Sequence, residues 1–96
     1  MQFMVLSRRL TDRFSDTEFD EMIPAETDRV QALYVDSVVR QIWLREDLPG
    51  ACFLIEAPDP DAAHEIVQTL PMASSGLSEF TIIPLTPYRG FTRSRT

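Results

Sequence analysis

The sequence predicts an α+β protein of the ferredoxin-like class. In this βαββαβ sandwich, two helices cover one face of a four-stranded antiparallel sheet. Short segments rich in β-branched and aromatic residues alternate with two segments whose apolar residues recur every three or four positions. A Pro-Gly turn joins the second and third of the predicted strands. The length of 96 residues suits one domain, 1–96, with residues 86–96 as a C-terminal arm.

The first strand and the first helix occupy the N-terminal third of the chain. Residues 2–7 (QFMVLS) predict a strand. The helix is predicted from about Pro24 to Asp36, because apolar residues continue there at helical spacing and proline suits only a first turn. Residues 16–22 then form a separate or kinked turn. No glycine follows the helix, so Asp36 or Ser37 must end it.

A β-hairpin is predicted in the middle of the chain. Its strands are residues 38–45 and 51–57, and its loop is residues 46–50, with proline and glycine in adjacent positions.

The second helix and the last strand complete the pattern. The helix begins after Asp59, an N-cap followed by proline, and runs to Leu70, where Pro71 stops it. Residues 79–85 form the last strand. Pro84 places at least the end of that strand where no ladder donor is needed.

Both faces of the predicted sheet are apolar. Alternation puts Val38, Ile42 and Leu44 on one face of the second strand, and Val39 and Trp43 on the other. The third strand divides in the same way, with Phe53 and Ile55 opposite Cys52 and Leu54. Two helices can cover only one face, and a soluble monomer rarely exposes a large apolar patch. We therefore expect a second copy of the chain on the other face, in a homodimer or a larger ring.

Composition excludes several classes of function. Fifteen acidic residues outnumber nine basic ones, which gives a net charge of −6 and argues against nucleic-acid binding. The chain has no lysine, one cysteine and one histidine, so neither a Schiff base nor a zinc site is expected. The sequence has no glycine-rich motif for binding phosphate or a dinucleotide, so no cofactor is expected. No apolar run predicts a membrane span or a secretory signal, and we expect a cytoplasmic protein.

Glu26 is the candidate catalytic residue. It lies in the middle of the apolar stripe of the first helix, between Ile23 and Val30. A buried carboxyl gains a raised pKa, which suits it to proton transfer. The alternative is a structural carboxylate at the edge of the stripe, or one neutralised by an arginine.

The candidate substrate-binding residues follow Glu26 in the chain. Arg40 or Arg45 could pair with Glu26 or bind a substrate carboxylate through a bidentate fork, although an interface salt bridge explains either equally well. Gln41 shares a face with Trp43, which is either a packing anchor or a pocket wall. Tyr34, at the end of the helical stripe, packs in the core or lines a pocket mouth.

The chain resembles the muconolactone δ-isomerase-like family of dimeric α+β barrels over nearly its whole length. The resemblance lies in the helix with Glu26 and in four further features, namely the strand RQIWLR, the turn at residues 47–51, the Leu-Pro-Met stop at 70–72 with Gly76 after it, and the ending IIPLTPYRGF. It implies pairing of two sheets in a dimer, a small organic ligand, and cofactor-free proton transfer along an unsaturated lactone.

The same resemblance implies a glutamate followed by a lysine as the catalytic pair. Glu26 matches that glutamate, and Thr27 stands in place of the lysine. Arg29 or Arg40 could supply the missing positive charge, but a guanidinium does not give up its proton at neutral pH. Three interpretations therefore stay open: an isomerase, a non-catalytic ligand-binding or accessory protein of the same fold, and a cofactor-free monooxygenase of the same superfamily.

Overall fold

The computed structural model describes residues 1–92, so the last four residues of the predicted arm lie outside it. Within that range the predicted order of strands and main helices is present, and two short helices are added to it. The elements in chain order are β1 (Gln2–Arg9), α1 (Asp16–Val35), β2 (Val39–Leu44), β3 (Ala51–Glu56), α2 (Pro60–Gln68), α3 (Pro71–Ser74), β4 (Ser78–Pro84) and α4 (Arg89–Thr92).

The four strands form one antiparallel sheet in the order β2-β3-β1-β4. The first strand lies in the interior of the sheet, where it pairs with β3 on one side and with β4 on the other. This order, with helices connecting β1 to β2 and β3 to β4, confirms the predicted ferredoxin-like class.

Helix α1 is one continuous element, so the predicted start at about Pro24 is wrong, and residues 16–22 form the first turns of this helix instead of a separate turn. The helix begins after Ser15, whose hydroxyl accepts a hydrogen bond from the backbone N–H of Glu18, while the Glu18 carboxylate accepts one from Ser15. This reciprocal capping box determines the start of the helix. Pro24 therefore lies inside α1, where the carbonyl of Asp20 lacks its usual helical donor.

Helix α1 ends without a glycine, at Asp36 and Ser37, as the sequence predicts. Asp36 is the C-cap, and Ser37 adopts a left-handed conformation with φ of 63°. The N–H of Ser37 donates to Tyr34, and that of Val38 donates to Leu33 at 2.8 Å. A serine thus occupies the position at which helices usually place glycine.

Pro71 has a different role from the predicted one. Helix α2 ends at Gln68, with Thr69 as its C-cap, before the proline is reached. Pro71 is instead the first residue of α3, whose N-cap Leu70 offers no side-chain hydrogen bond. Proline is favoured at a first helical position because its missing N–H would be unpaired there anyway.

Two hydrophobic clusters lie on the face of the sheet that the helices cover, which we call the covered face. The main cluster joins the centre of the sheet to α2 and to the end of α1, and its fully buried members include Phe3, Val5, Ile55, Ala63 and Val67. The minor cluster joins the start of α1 to α3, and its buried members are Phe19, Met72 and Leu77.

A β-bulge in β2 changes the predicted faces of that strand. The register shifts between Val39 and Gln41, so Arg40 is the extra residue. Val39 is consequently opposite Ile55 and is 1% exposed, on the covered face rather than on the other one as alternation predicted. Strict alternation would place Arg40 on the same face as Val38 and Ile42, but in the bulge its side chain is exposed.

The opposite face of the sheet, which we call the open face, has no helix over it among the described residues. Its apolar residues alternate in register with those of the covered face. They are Met4, Leu6, Trp43, Cys52, Leu54 and Ile83, of which Trp43 is 49% and Ile83 is 39% exposed.

Candidate functional site

A cavity of about 390 Å³ lies between the middle of α1 and the covered face of the sheet. This volume falls within the range of roughly 300–1,000 Å³ that is typical of small-molecule sites. Most of its wall is apolar, and the apolar lining includes Ile23, Val30, Ile42, Phe53, Leu70 and Phe80.

The cavity exists because α1 packs on the core near its two ends. Phe19, near the start of the helix, belongs to the minor cluster, and Leu33, near its end, belongs to the main cluster. They are the buried residues of this 20-residue helix. Between these two anchoring residues, Glu26 and Thr27 line the cavity.

Glu26 is the acidic residue of the cavity wall. Its Oε1 accepts a hydrogen bond of 2.9 Å from the backbone N–H of Met72, in the first turn of α3. The carboxylate thereby caps a helix whose own N-cap residue provides no side-chain bond. Burial raises the pKa of Glu26 above its ordinary value, and the opposing influences of the Met72 N–H and of the charge on Arg9 are smaller.

Arg9 is the basic residue of the cavity wall, and the sequence analysis missed it. Its guanidinium carbon lies 5.5 Å from the centre of the Phe19 ring, a cation–π contact. The predicted first strand ended at residue 7, whereas β1 continues to Arg9. Extending the alternation of Phe3 and Val5 by two more steps would have placed Arg9 on the covered face.

Uncharged polar groups complete the cavity wall. The Ser7 hydroxyl accepts a hydrogen bond from the Ala51 N–H at 2.9 Å, where the β1–β3 ladder ends. Ser78 lies opposite Arg9 in the β1–β4 pairing, and its hydroxyl contacts the Met72 sulfur at 3.7 Å. Thr27 and Gln31 of α1 also reach the wall.

Of the site residues that the sequence predicts, the structure places only Glu26 in the wall of this cavity. The Arg45 guanidinium donates two hydrogen bonds to Asp47, at 3.0 and 2.8 Å. Arg40 donates to the carbonyl of Ser37 at 2.6 Å and lies 4.0 Å from Glu56. Neither arginine pairs with Glu26, because each has its own oxygen partners near β2.

The remaining predicted residues lie on outer surfaces. Gln41 and Trp43 belong to the open face, on the other side of the sheet from the cavity. Tyr34 is 62% exposed near the end of α1. In a single chain these three side chains do not contribute to the cavity wall, and their role in substrate binding stays a prediction.

Residues 1–92 contain neither a cluster of metal ligands nor a membrane-spanning helix. No three His, Cys, Asp or Glu side chains in this range come together as a set able to hold a metal ion. None of the helices in the same range has the length and hydrophobicity that crossing a membrane requires.

Several solved structures share this architecture. Muconolactone isomerase is among them, with a TM-score of 0.78 and 17% identity over 98% of this chain and 97% of that one. Another is the 5-chloro-2-hydroxyhydroquinone dehydrochlorinase of Burkholderia phenoliruptrix in complex with 2,5-dihydroxybenzoquinone. Its TM-score is 0.72, with 14% identity over 94% of this chain and 98% of that one. No protein-family profile and no curated protein matches the sequence. The predicted resemblance is therefore confirmed at the level of the fold.

Proposed function

We propose that this chain, which has the fold of muconolactone isomerase, is a cofactor-free enzyme that moves a proton within a small unsaturated lactone or carbonyl acid. The observation that carries the proposal is the position of Glu26. A carboxyl group with a raised pKa faces an apolar cavity of ligand size, and a backbone N–H fixes one of its oxygens. These are the properties of a general base that also serves as a general acid.

The proposed step is a shift of a carbon–carbon double bond. The Glu26 carboxylate removes a proton from a carbon next to the conjugated system, and the electron pair of that C–H bond moves into an enolate. The resulting carboxylic acid returns the proton to another carbon of the same system, and the double bond is then in its new position. The step is balanced, because the Glu26 carboxyl group returns the same proton that it removed.

The cavity offers a substitute for the lysine that the family resemblance implies. Thr27 cannot supply a positive charge, whereas Arg9 faces the same cavity as Glu26. A guanidinium stays protonated at neutral pH, so Arg9 would stabilise negative charge without exchanging a proton. This arrangement leaves all proton transfer to Glu26.

The test is turnover followed by ultraviolet absorbance, with muconolactone, related unsaturated lactones and enol acids as substrates. Glu26→Gln keeps an oxygen that can accept the Met72 N–H but cannot accept a substrate proton. We expect it to lower kcat/KM about 10²–10⁴-fold. Glu21→Gln, at an exposed position of the same helix, is the matched control and should leave the rate unchanged.

The pH dependence provides a second readout of the same proposal. Because burial raises the pKa of Glu26, kcat/KM should increase with pH through a value above that of an ordinary glutamate. A folded wild type without activity on any substrate of this panel would contradict the proposed reaction on these substrates, and equal rates for wild type and Glu26→Gln would contradict the role of Glu26.

One observation favours a second candidate function, a ligand-binding or accessory protein without catalysis. Glu26 caps α3, whose N-cap lacks a side-chain bond, and this contact gives the carboxylate a structural reason to be present. A structural cap without catalysis predicts that wild type turns over none of these substrates, and that Glu26→Ala, which removes the acceptor of the Met72 N–H, lowers the unfolding free energy. The turnover comparison therefore separates the two candidates.

The proposal includes self-association through the open face. Apolar side chains occupy the centre of this face, and charged groups of both signs, the ion pairs Arg8–Glu79 and Arg40–Glu56, lie on it or at its β2 edge. A surface that carries both signs can be complementary to itself across a two-fold axis. A second copy placed there would cover Trp43 and Ile83.

A further inference from the structure

Arg9 is a positive charge without a counter-ion in an acidic protein. Among residues 1–92 its guanidinium forms no ion pair, although the chain has 15 acidic residues. The next residue back, Arg8, points to the open face and contacts Glu79 at 2.7 Å. Arg45 contacts Asp47 at 2.8 Å. Arg9 differs from these two arginines in that its side chain lines the cavity.

A ring contact positions the Arg9 guanidinium, and within residues 1–92 none of its N–H groups donates a hydrogen bond. Its carbon lies over the Phe19 ring at 5.5 Å, and Phe19 is itself 2% exposed and fixed in the minor cluster. The backbone N–H of Arg9 donates to Pro49, and that of Leu10 donates to Leu77, each at 2.9 Å. A guanidinium that contacts an aromatic face keeps N–H groups at its edges for a planar anion.

Glu26 does not neutralise Arg9, although both line the cavity. No nitrogen of Arg9 lies within ion-pair distance of the Glu26 carboxylate, which instead accepts the N–H of Met72. The sulfur of Met72 contacts the hydroxyl of Ser78, the residue opposite Arg9 in the β1–β4 pairing. Glu26 and Arg9 therefore line the same cavity without forming an ion pair, and the Arg9 charge lowers the pKa of Glu26 by less than burial raises it.

We propose that Arg9 binds a carboxylate of the substrate and thereby selects compact monoanionic molecules with an apolar body. This inference rests on the proposed function, since it assigns the substrate class of the same cavity. The apolar wall accommodates the body of the ligand, and the bidentate fork of Arg9 accepts both oxygens of its carboxylate. The ligand is thereby oriented with its carboxylate end on Arg9 and the rest of its skeleton within reach of Glu26.

The test uses two unreactive probes of nearly the same size and shape, the anion 4-fluorobenzoate and the neutral 4-fluorobenzamide, titrated into the protein and followed by fluorine NMR. Wild type should bind the carboxylate about tenfold more tightly than the amide. This factor corresponds to about 1.4 kcal/mol, which a hydrogen-bonded ion pair in a partly buried site can contribute. Arg9→Met should remove this preference and keep amide binding. Arg9→Lys, which restores the charge without the fork, should recover part of it.

Arg8→Met is the matched control, because it removes the same charge from the adjacent position on the open face. It should leave the preference for the carboxylate intact. Glu26→Gln should strengthen benzoate binding at neutral pH by removing a neighbouring negative charge. Equal affinity of wild type for the two probes, a preference that survives in Arg9→Met, or no binding of either probe would overturn the inference.

The result is independent of turnover, because neither probe reacts. An active enzyme without the carboxylate preference would contradict the role of Arg9 alone. An inactive protein with the preference would contradict only the proposed reaction.

Discussion

At the scale of single residues, the sequence predicted one of the two charges of the cavity. Glu26 was found because a lone carboxylate interrupts an apolar helical stripe. Arg9 was missed because the predicted strand stopped two residues early, among polar residues that lack a visible period. Arg40 and Arg45 were candidates because a guanidinium can pair with Glu26 or bind a carboxylate, but each has oxygen partners of its own. No sequence pattern shows that Arg9 lines the cavity while Arg40 and Arg45 bind oxygens near β2.

The raised pKa of Glu26 makes a prediction about stability. The folded state holds the Glu26 proton more tightly than the unfolded state, so ionisation of Glu26 disfavours folding. This cost is absent below the ordinary pKa of glutamate and is complete above the raised value. Relative to Glu26→Gln, wild type should therefore lose unfolding free energy as the pH rises through that window.

Urea unfolding of both proteins between about pH 4 and 8 measures this difference directly. Glu21→Gln serves as the control, because Glu21 is an exposed glutamate of the same helix. A wild type that gains stability over Glu26→Gln with rising pH would show that the Met72 hydrogen bond, and not burial, dominates the pKa of Glu26.

At the scale of elements, the sequence predicted every strand and both main helices but misplaced boundaries where two local signals compete. Pro24 suggested a helix start, since proline is unfavourable in a helix interior. The capping box at Ser15 and Glu18, together with the packing of Phe19 in the minor cluster, outweighs that cost. The bulge at Arg40 could not be predicted, because it depends on the register of β2 against β3.

The end of α1 provides a prediction at this scale. Ser37 has a φ of 63°, a conformation that costs a residue with a side chain about 1 kcal/mol. Ser37→Gly should therefore raise the unfolding free energy by about 0.5–1 kcal/mol in urea denaturation. Ser75→Gly is the matched control, because Ser75 ends α3 with a φ of −82° and should gain nothing. Destabilisation by Ser37→Gly would mean that the serine side chain contributes more than the strain costs.

At the scale of the whole molecule, the apolar open face predicts the state of association. Trp43→Glu places a charge at a 49%-exposed apolar position of that face, and it should convert a dimer or larger ring into monomers. Tyr34→Glu is the control, since Tyr34 is equally an exposed aromatic but lies on α1. Sedimentation velocity at micromolar concentration measures both. A monomeric wild type would contradict self-association through the open face.

The overlap between the cavity wall and the two hydrophobic clusters has a consequence for how this architecture diverges. Phe53 and Leu70 line the cavity and belong to the main cluster, and Met72 lines it and belongs to the minor cluster. Replacement of one of these three changes the ligand space and the packing of the core together. Other wall residues, Ile23, Thr27, Gln31 and Ile42, belong to neither cluster. New specificities are therefore expected to arise first at these positions, where a substitution costs the fold least.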